Sequence, residues 1–167
     1  MNYASIRTCD IANGEGVRVS LFVSGCTHRC RGCFNEVAQD FAYGEPFTRE
    51  VEDGLIASMR PSYVAGLTVL GGEPLEPANQ AALLPFLRRV RETFGEAKTV
   101  WLYTGCVLTD DRTLQPSRFN VPDVTPELLS LVDVLVDGPF VEELKDISLR
   151  FRGSSNQRIL NLRESRT

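Results

Sequence analysis

The chain has 167 residues and a formal net charge of −4. That length suits one domain, residues 1–167, with a core of its own, and the acidic balance argues against a general nucleic-acid binder. Hydrophobic residues make up 43% and charged residues 24%, ordinary for a globular protein, and no apolar run reaches the ~18 residues of a membrane span.

In chain order, Met1 to Gly16 reads as a lead-in segment closing on Asn13-Gly14-Glu15-Gly16. Two glycines so close imply unusual backbone angles or a near approach of backbone. Val17 to Val23 alternates and is rich in β-branched and aromatic residues, which predicts a strand. Ser24-Gly25 breaks it, and Cys26-Thr-His-Arg-Cys30-Arg-Gly-Cys33 follows with the spacing C-x3-C-x2-C. Val51, Leu55, Ile56 and Met59 recur at helical spacing within Thr48–Arg60, with Thr48 as N-cap and Pro61 as the stop. Leu67–Leu70 predicts a second strand, ended by Gly71-Gly72-Glu73-Pro74.

Leu83, Phe86, Leu87, Val90 and Phe94 make the next helical face, with Pro85 in its first turns or at a kink, and Gly95 closing it. Thr99–Tyr103 is a third strand, running into Thr104-Gly105. Asp110 to Pro126 is mostly loop, and Thr125-Pro126-Glu127 opens a short helix through Leu131 with Thr125 as its cap. Val132–Val136 is the fourth strand, ending in Asp137-Gly138-Pro139, and a tail with Arg150, Arg152 and Arg158 completes the chain.

Strands alternating with helices imply parallel pairing through crossovers. A closed eight-fold barrel needs about 250 residues, so this chain can supply only part of one. The cysteine loop, Gly71–Pro74, Thr104-Gly105 and Asp137-Gly138 each follow a strand's C-terminal end, where α/β proteins bind their ligands. Four such motifs at one edge describe a single site.

Three of the chain's five cysteines fall within eight residues. Thiolates are soft ligands for iron–sulfur clusters or zinc. The odd count and lack of an opening signal peptide argue against a disulfide framework and point to the reducing cytoplasm. Zinc remains open, because His28 would complete a Cys3His set. Otherwise, three ligands on a four-iron cubane leave one iron open to a guest. Gly71 and Gly72 leave backbone free for such a guest to lie against, and Glu73 offers a carboxylate to a cationic amine.

With these motifs in place, the sequence resembles the radical S-adenosylmethionine enzymes, and more narrowly the activating proteins of anaerobic (class III) ribonucleotide reductase. The similarity covers Asn13-Gly-x-Gly16, Leu21-Phe-Val-Ser-Gly-Cys26, Cys30-Arg-Gly-Cys33-Phe-Asn35 and Gly71-Gly-Glu-Pro74. It continues through Tyr103-Thr-Gly105, Val134-Leu-Val-Asp-Gly-Pro-Phe140 and Arg152-Gly-Ser-Ser-Asn-Gln157. The resemblance implies a partial (β/α) barrel, mostly parallel strands with helices outside. It also implies a [4Fe–4S] cluster held by Cys26, Cys30 and Cys33, with the fourth iron chelating S-adenosylmethionine. One electron from the cluster would cleave the nucleotide to methionine and a 5′-deoxyadenosyl radical, which takes a hydrogen atom from a glycine of the reductase large subunit. Gly32, Cys33 and Phe34 would line the adenine side, Gly71, Gly72 and Glu73 the methionine amine, and Thr104 and Asp137 the ribose or methionine. No protein acid, base or nucleophile is expected, since the cofactors carry the chemistry.

The resemblance also implies a low-potential electron donor such as flavodoxin, and is compatible with a homodimer. Three departures stand out. Gly32 replaces the aromatic residue that much of the superfamily carries before the third cysteine; a common tryptophan is missing around Val37–Asp40; and Cys106 follows Tyr103-Thr-Gly105 where an aromatic is usual. Cys9 and Cys106 are expected to be packing or surface thiols, and His28 a loop residue. Arg150, Arg152 and Arg158 read as surface charges, with docking of a partner or carboxylate as the alternative. Two other functions share parts of this pattern: an activase of another glycyl-radical enzyme, of the pyruvate formate-lyase type, and a non-catalytic zinc or electron-transfer module.

Overall fold

The structure, a computed structural model, describes residues 1–163. In chain order its strands and helices are β1 (Asn2–Asp10), β2 (Val17–Val23), β3 (Glu45–Pro46), α1 (Arg49–Met59), β4 (Val64–Gly71) and α2 (Pro77–Phe94). Then come β5 (Thr99–Tyr103), β6 (Val107–Leu108), β7 (Leu114–Gln115), α3 (Thr125–Ser130), β8 (Val134–Asp137) and β9 (Arg158–Asn161). Seven of the strands form one sheet in the order β3-β1-β2-β4-β5-β8-β9, while β6 and β7 pair as a separate small hairpin.

The centre of the sheet is parallel: β2 pairs with β4, β4 with β5, and β5 with β8. α1, α2 and α3 lie in the three crossovers between these strands. The flanks are antiparallel, β1 on β2, β3 on β1, and β9 on β8. The fold is therefore α/β with a mixed, mostly parallel sheet. The expected parallel strands are present, but the lead-in and the tail each supply an antiparallel strand that the periodicity did not reveal. The one residue that β1 buries fully is the polar Asp10, so it lacks the apolar alternation that marks a half-buried strand.

Alternation along the central strands assigns two faces. Val19, Leu21 and Val23 of β2, Leu67 and Val69 of β4, and Val100 and Leu102 of β5 join one buried cluster with Leu55, Ile56 and Met59 of α1. Leu83, Phe86, Leu87 and Val90 of α2, with Leu128 and Leu129 of α3, complete that layer. The intervening residues face the other way. Arg18, Ser20, Thr68 and Trp101 are buried there, and Phe22, Leu70 and Tyr103 line a cavity.

Helix ends follow local chemistry. Thr48 caps α1, its side-chain oxygen accepting the Val51 N–H at 3.3 Å. α2 starts well before the apolar face alone suggests, because Pro77 is pre-set for the first turn. Pro85 consequently lies in mid-helix rather than in the first turns. Thr125 belongs to α3 rather than capping it; its hydroxyl accepts the Val121 N–H at 2.8 Å and donates to Gln80 Oε1 at 2.7 Å. Among the described residues, no helix is long and apolar enough to cross a membrane.

On the helix-free face, Arg18 is 1% exposed with its guanidinium 5.6 Å from the Trp101 ring. It donates to the hydroxyls of Thr68 and Thr99 and to the carbonyls of Glu15, Leu67 and Thr99. Thr68 in turn donates to Asn13 O at 2.7 Å. The Asn13–Gly16 turn is thus pinned to the middle of the sheet, with Gly14 at φ +123° and Gly16 at φ +78°, values that favour glycine.

Candidate metal and cofactor site

The parallel register sets the site. Val23 is opposite Gly71, Val69 opposite Leu102, and Tyr103 opposite Val136, so the segments after these strands emerge at one edge. There they surround a cavity of about 570 Å³, within the size range of small-molecule sites. Cys26, Cys30, Cys33 and Phe34 line it from the cysteine loop, Gly71–Glu73 from the end of β4, Thr104 and Gly105 from β5, and Gly138 and Phe140 from β8. All four sequence motifs contribute to this one cavity.

The returning segment closes the opposite wall. Lys145, Ile147, Leu149, Phe151 and Arg152 all reach the cavity. Sequence reasoning missed most of them, because this stretch has no period, only the Arg152–Gln157 motif. That motif is a clasp: Gln157 Oε1 accepts the N–H groups of Gly153 and Ser154, while its Nε2 donates to Gly138 O at 3.1 Å. Asn156 Nδ2 donates to Pro139 O at 2.8 Å. Phe34, 68% exposed, leans on Phe140 at 4.8 Å between ring centroids, with the Lys145 ammonium 5.2 Å from its ring.

Gly32 and Asp137 are not among the residues lining this cavity. Gly32 has φ +74° and lies against Glu142. Asp137, 1% exposed, accepts the Leu108 N–H at 2.8 Å and pairs with Arg158. Of the three tail arginines, Arg152 lines the cavity, Arg158 holds Asp137, and Arg150 stacks on Phe151 at 4.6 Å.

Gly71 and Gly72 are glycines for a reason beyond a guest. A Cβ on Gly71 would lie 2.5 Å from Val23 N, and one on Gly72 would lie 2.6 Å from Gly25 O and 2.7 Å from Ala38 O. The space is filled by the backbone of β2 and of the cysteine loop, which docks through Glu73 N–H to Gly25 O at 2.7 Å and Gly25 N–H to Ala38 O at 2.7 Å. Gly72→Ala is expected to cost about 1–3 kcal/mol, the usual price of overpacking, and to lower iron retention several-fold. A thermal melt and an iron assay check both.

Glu73 sits at the centre of this arrangement, 1% exposed. Its Oε1 is 2.6 Å from His28 Nε2 and accepts the Gly105 N–H at 2.7 Å; Oε2 accepts the Leu75 N–H at 2.8 Å. The Thr104 hydroxyl lies 2.8 Å from both oxygens. These are four donors on a group with about four lone-pair sites. Glu76 does the same for the preceding loop residue, its Oε1 accepting the Thr27 N–H at 2.7 Å and the Thr27 hydroxyl.

His28 therefore turns to Glu73 and Cys106, whose Sγ is 3.9 Å from Nε2, and stacks on Phe119 at 4.7 Å. Among the described residues, these three are the set whose ligand atoms all lie within 4.8 Å of one another. An ion there would have to displace the donors already saturating Glu73, so the set reads as a hydrogen-bonded hub. Cys106 is wholly buried and Cys9 exposed on β1, the packing and surface positions expected of them.

Burial pushes the Cys26 thiol up to about 11, against the opposing N–H groups of His28 and Arg29, and burial also raises Cys30. Metal loading must therefore release protons and weaken as pH falls. In metal-free protein, alkylation of Cys26 should rise about tenfold per pH unit between pH 7 and 10, because only the thiolate reacts. Mass spectrometry of the alkylated peptide measures this; a plateau near pH 8.5 would contradict the burial.

An α/β sheet with three thiols in one loop at its C-terminal edge is the setting in which the comparisons fall, and they define the class as a 4Fe-4S domain. Residues 12–160 match the family model of a 4Fe-4S single cluster domain. The anaerobic ribonucleoside-triphosphate reductase-activating protein of Pasteurella multocida is 40% identical over 159 residues, 94% of this chain and 95% of the relative. That of Escherichia coli K12 is 40% identical over 165 residues, 98% of this chain and all of the relative. Enterobacteria phage T4 has one 38% identical over 159 residues, 95% of this chain and 93% of its own. The chain belongs to this family, the anaerobic ribonucleoside-triphosphate reductase-activating proteins.

Proposed function

We propose that the chain activates anaerobic ribonucleotide reductase by reductively cleaving S-adenosylmethionine and leaving a glycyl radical on the reductase large subunit. The observation that carries this reading is the convergence of Cys26, Cys30, Cys33 and the Gly71–Glu73 turn on one cavity. The donor set fits a [4Fe–4S] cluster: three soft thiols from one loop, with His28 engaged elsewhere, leave one iron for a guest. When bound, that cluster supplies the electron that cleaves the carbon–sulfur bond of S-adenosylmethionine.

The chain's own part is to bind, orient and exclude water. Cys26, Cys30 and Cys33 hold the metal. Cys33 and Phe34 face the adenine end, with Gly32 giving the loop its turn, and Gly71–Glu73 and Thr104 face the methionine end. Asp137 keeps the β8 edge in place through Arg158. The mixed sheet is read as the partial (β/α) barrel of radical S-adenosylmethionine enzymes, a single domain whose open side admits the reductase glycine. Five free thiols suit a reducing cytoplasm, where a low-potential donor such as flavodoxin supplies electrons, and the chain acts alone or as a homodimer.

The test is transfer. Reconstituted protein, reductant and S-adenosylmethionine, mixed anaerobically with the reductase, should give a glycyl doublet in electron paramagnetic resonance. A doublet on pyruvate formate-lyase but not on the reductase would assign the activase to another partner.

A further inference from the structure

We infer that His28 is a positioning residue, and that the Glu73 carboxylate serves the guest through it rather than by direct contact. The inference rests on the functional reading above only for the guest's identity. Its basis is the saturation of Glu73. Three of its four donors, the Gly105 and Leu75 N–H groups and the Thr104 hydroxyl, come from the ends of β4 and β5, and the fourth is His28 from the cysteine loop. A guest ammonium would have to evict one of them.

None is loose. The His28 ring is stacked on Phe119, and a Cβ at Gly105 would lie 2.8 Å from its Cδ2, so the ring fills a slot that glycine leaves open. Two residues from Cys26 and two from Cys30, His28 thus fastens the middle of the C-x3-C segment to the strand ends. Thr27 repeats the attachment one residue earlier, through Glu76 and Arg118. The hub fixes the spacing between the thiols and the Gly71–Gly72 backbone, and the guest must bridge that spacing.

Two measurements on the full chain decide the matter. In metal-free protein, hydrogen exchange at Cys26, Thr27, Gly105 and Cys106 should speed at least tenfold in His28→Ala and in Glu73→Gln. The double variant should be no faster than the faster single, since both break one contact. His28→Gln, which can still donate to Glu73, should stay within threefold of wild type, while His28→Asn, one carbon shorter, should behave like alanine. This pair decides if His28→Ala does not fold. In reconstituted protein, the S-adenosylmethionine concentration giving half of the spectral change should rise at least tenfold in both His28→Ala and Glu73→Gln, with recovery in His28→Gln.

Normal nucleotide binding in His28→Ala beside a loss in Glu73→Gln would show direct contact by Glu73 and overturn the inference. So would independent effects on exchange, or a glutamine variant as impaired as alanine. A wild-type spectrum that ignores S-adenosylmethionine sinks the functional reading instead, and the exchange result still decides whether His28 and Glu73 act as one.

Discussion

Replacing any one of Cys26, Cys30 and Cys33 by alanine is expected to take iron from about four atoms per chain to less than one and to abolish activity. Each supplies one of only three protein donors in the proposed set, and a cubane held at two corners is not retained. The loss should exceed the roughly 10–100-fold that changes around a ligand shell usually cost. Cys9→Ala and Cys106→Ala should keep the cluster, since Cys9 is an exposed β1 residue and Cys106 is buried in the helix-side core. Iron analysis with the 400 nm absorbance after anaerobic reconstitution measures all five. Cluster loss in Cys9→Ala would mean a fourth protein ligand and no open iron.

Arg18→Ala should be the most destabilising change away from the cysteine loop. Burial lowers the Arg18 pKa to about 10, far enough above neutrality for the guanidinium to stay charged. Among the described residues, that buried cation has no carboxylate as a hydrogen-bond partner. Its N–H groups are divided among two threonine hydroxyls and three backbone carbonyls, and its face lies on Trp101. Alanine would strand these acceptors, open a void, and release the Asn13–Gly16 turn. A loss of about 3–5 kcal/mol is expected, and at about 2–4 °C per kcal/mol for a chain of this size the melting temperature should fall by about 10 °C. Circular dichroism decides; an unchanged melt would show that Arg18 is dispensable to the fold. Arg18→Lys should fall between the two, because one ammonium cannot reproduce a planar fork of donors.

The elements that show plainly in the sequence are those with a period. The Val17–Val23 alternation, the Thr99–Tyr103 run, and the Leu55–Ile56–Met59 and Leu83–Leu87–Val90 spacings all report burial on one face, and the structure places them there. β1 and β9 do not, because each flanks the parallel centre and buries few of its own residues, β1 only Asp10 and β9 none, so neither carries an apolar period. The site divides the same way. The cysteine loop and Gly71–Glu73 are legible as local motifs, since their chemistry lies in spacing. The partner of Glu73 is not: His28 meets it across 45 residues of sequence, and no local signal records such a contact. The roles of Gly71 and Gly72 are similarly half legible. Glycine implies close approach, but only the fold shows that the cysteine loop itself makes it.

The most direct measurement is the response of the reconstituted cluster to the nucleotide. Prepared without oxygen and reduced, the protein should hold about four irons per chain, change its electron paramagnetic resonance spectrum when S-adenosylmethionine is added, and yield methionine with 5′-deoxyadenosine. A cluster coordinated by four protein donors, with a spectrum indifferent to the nucleotide and no cleavage under strong reductant, would contradict the account.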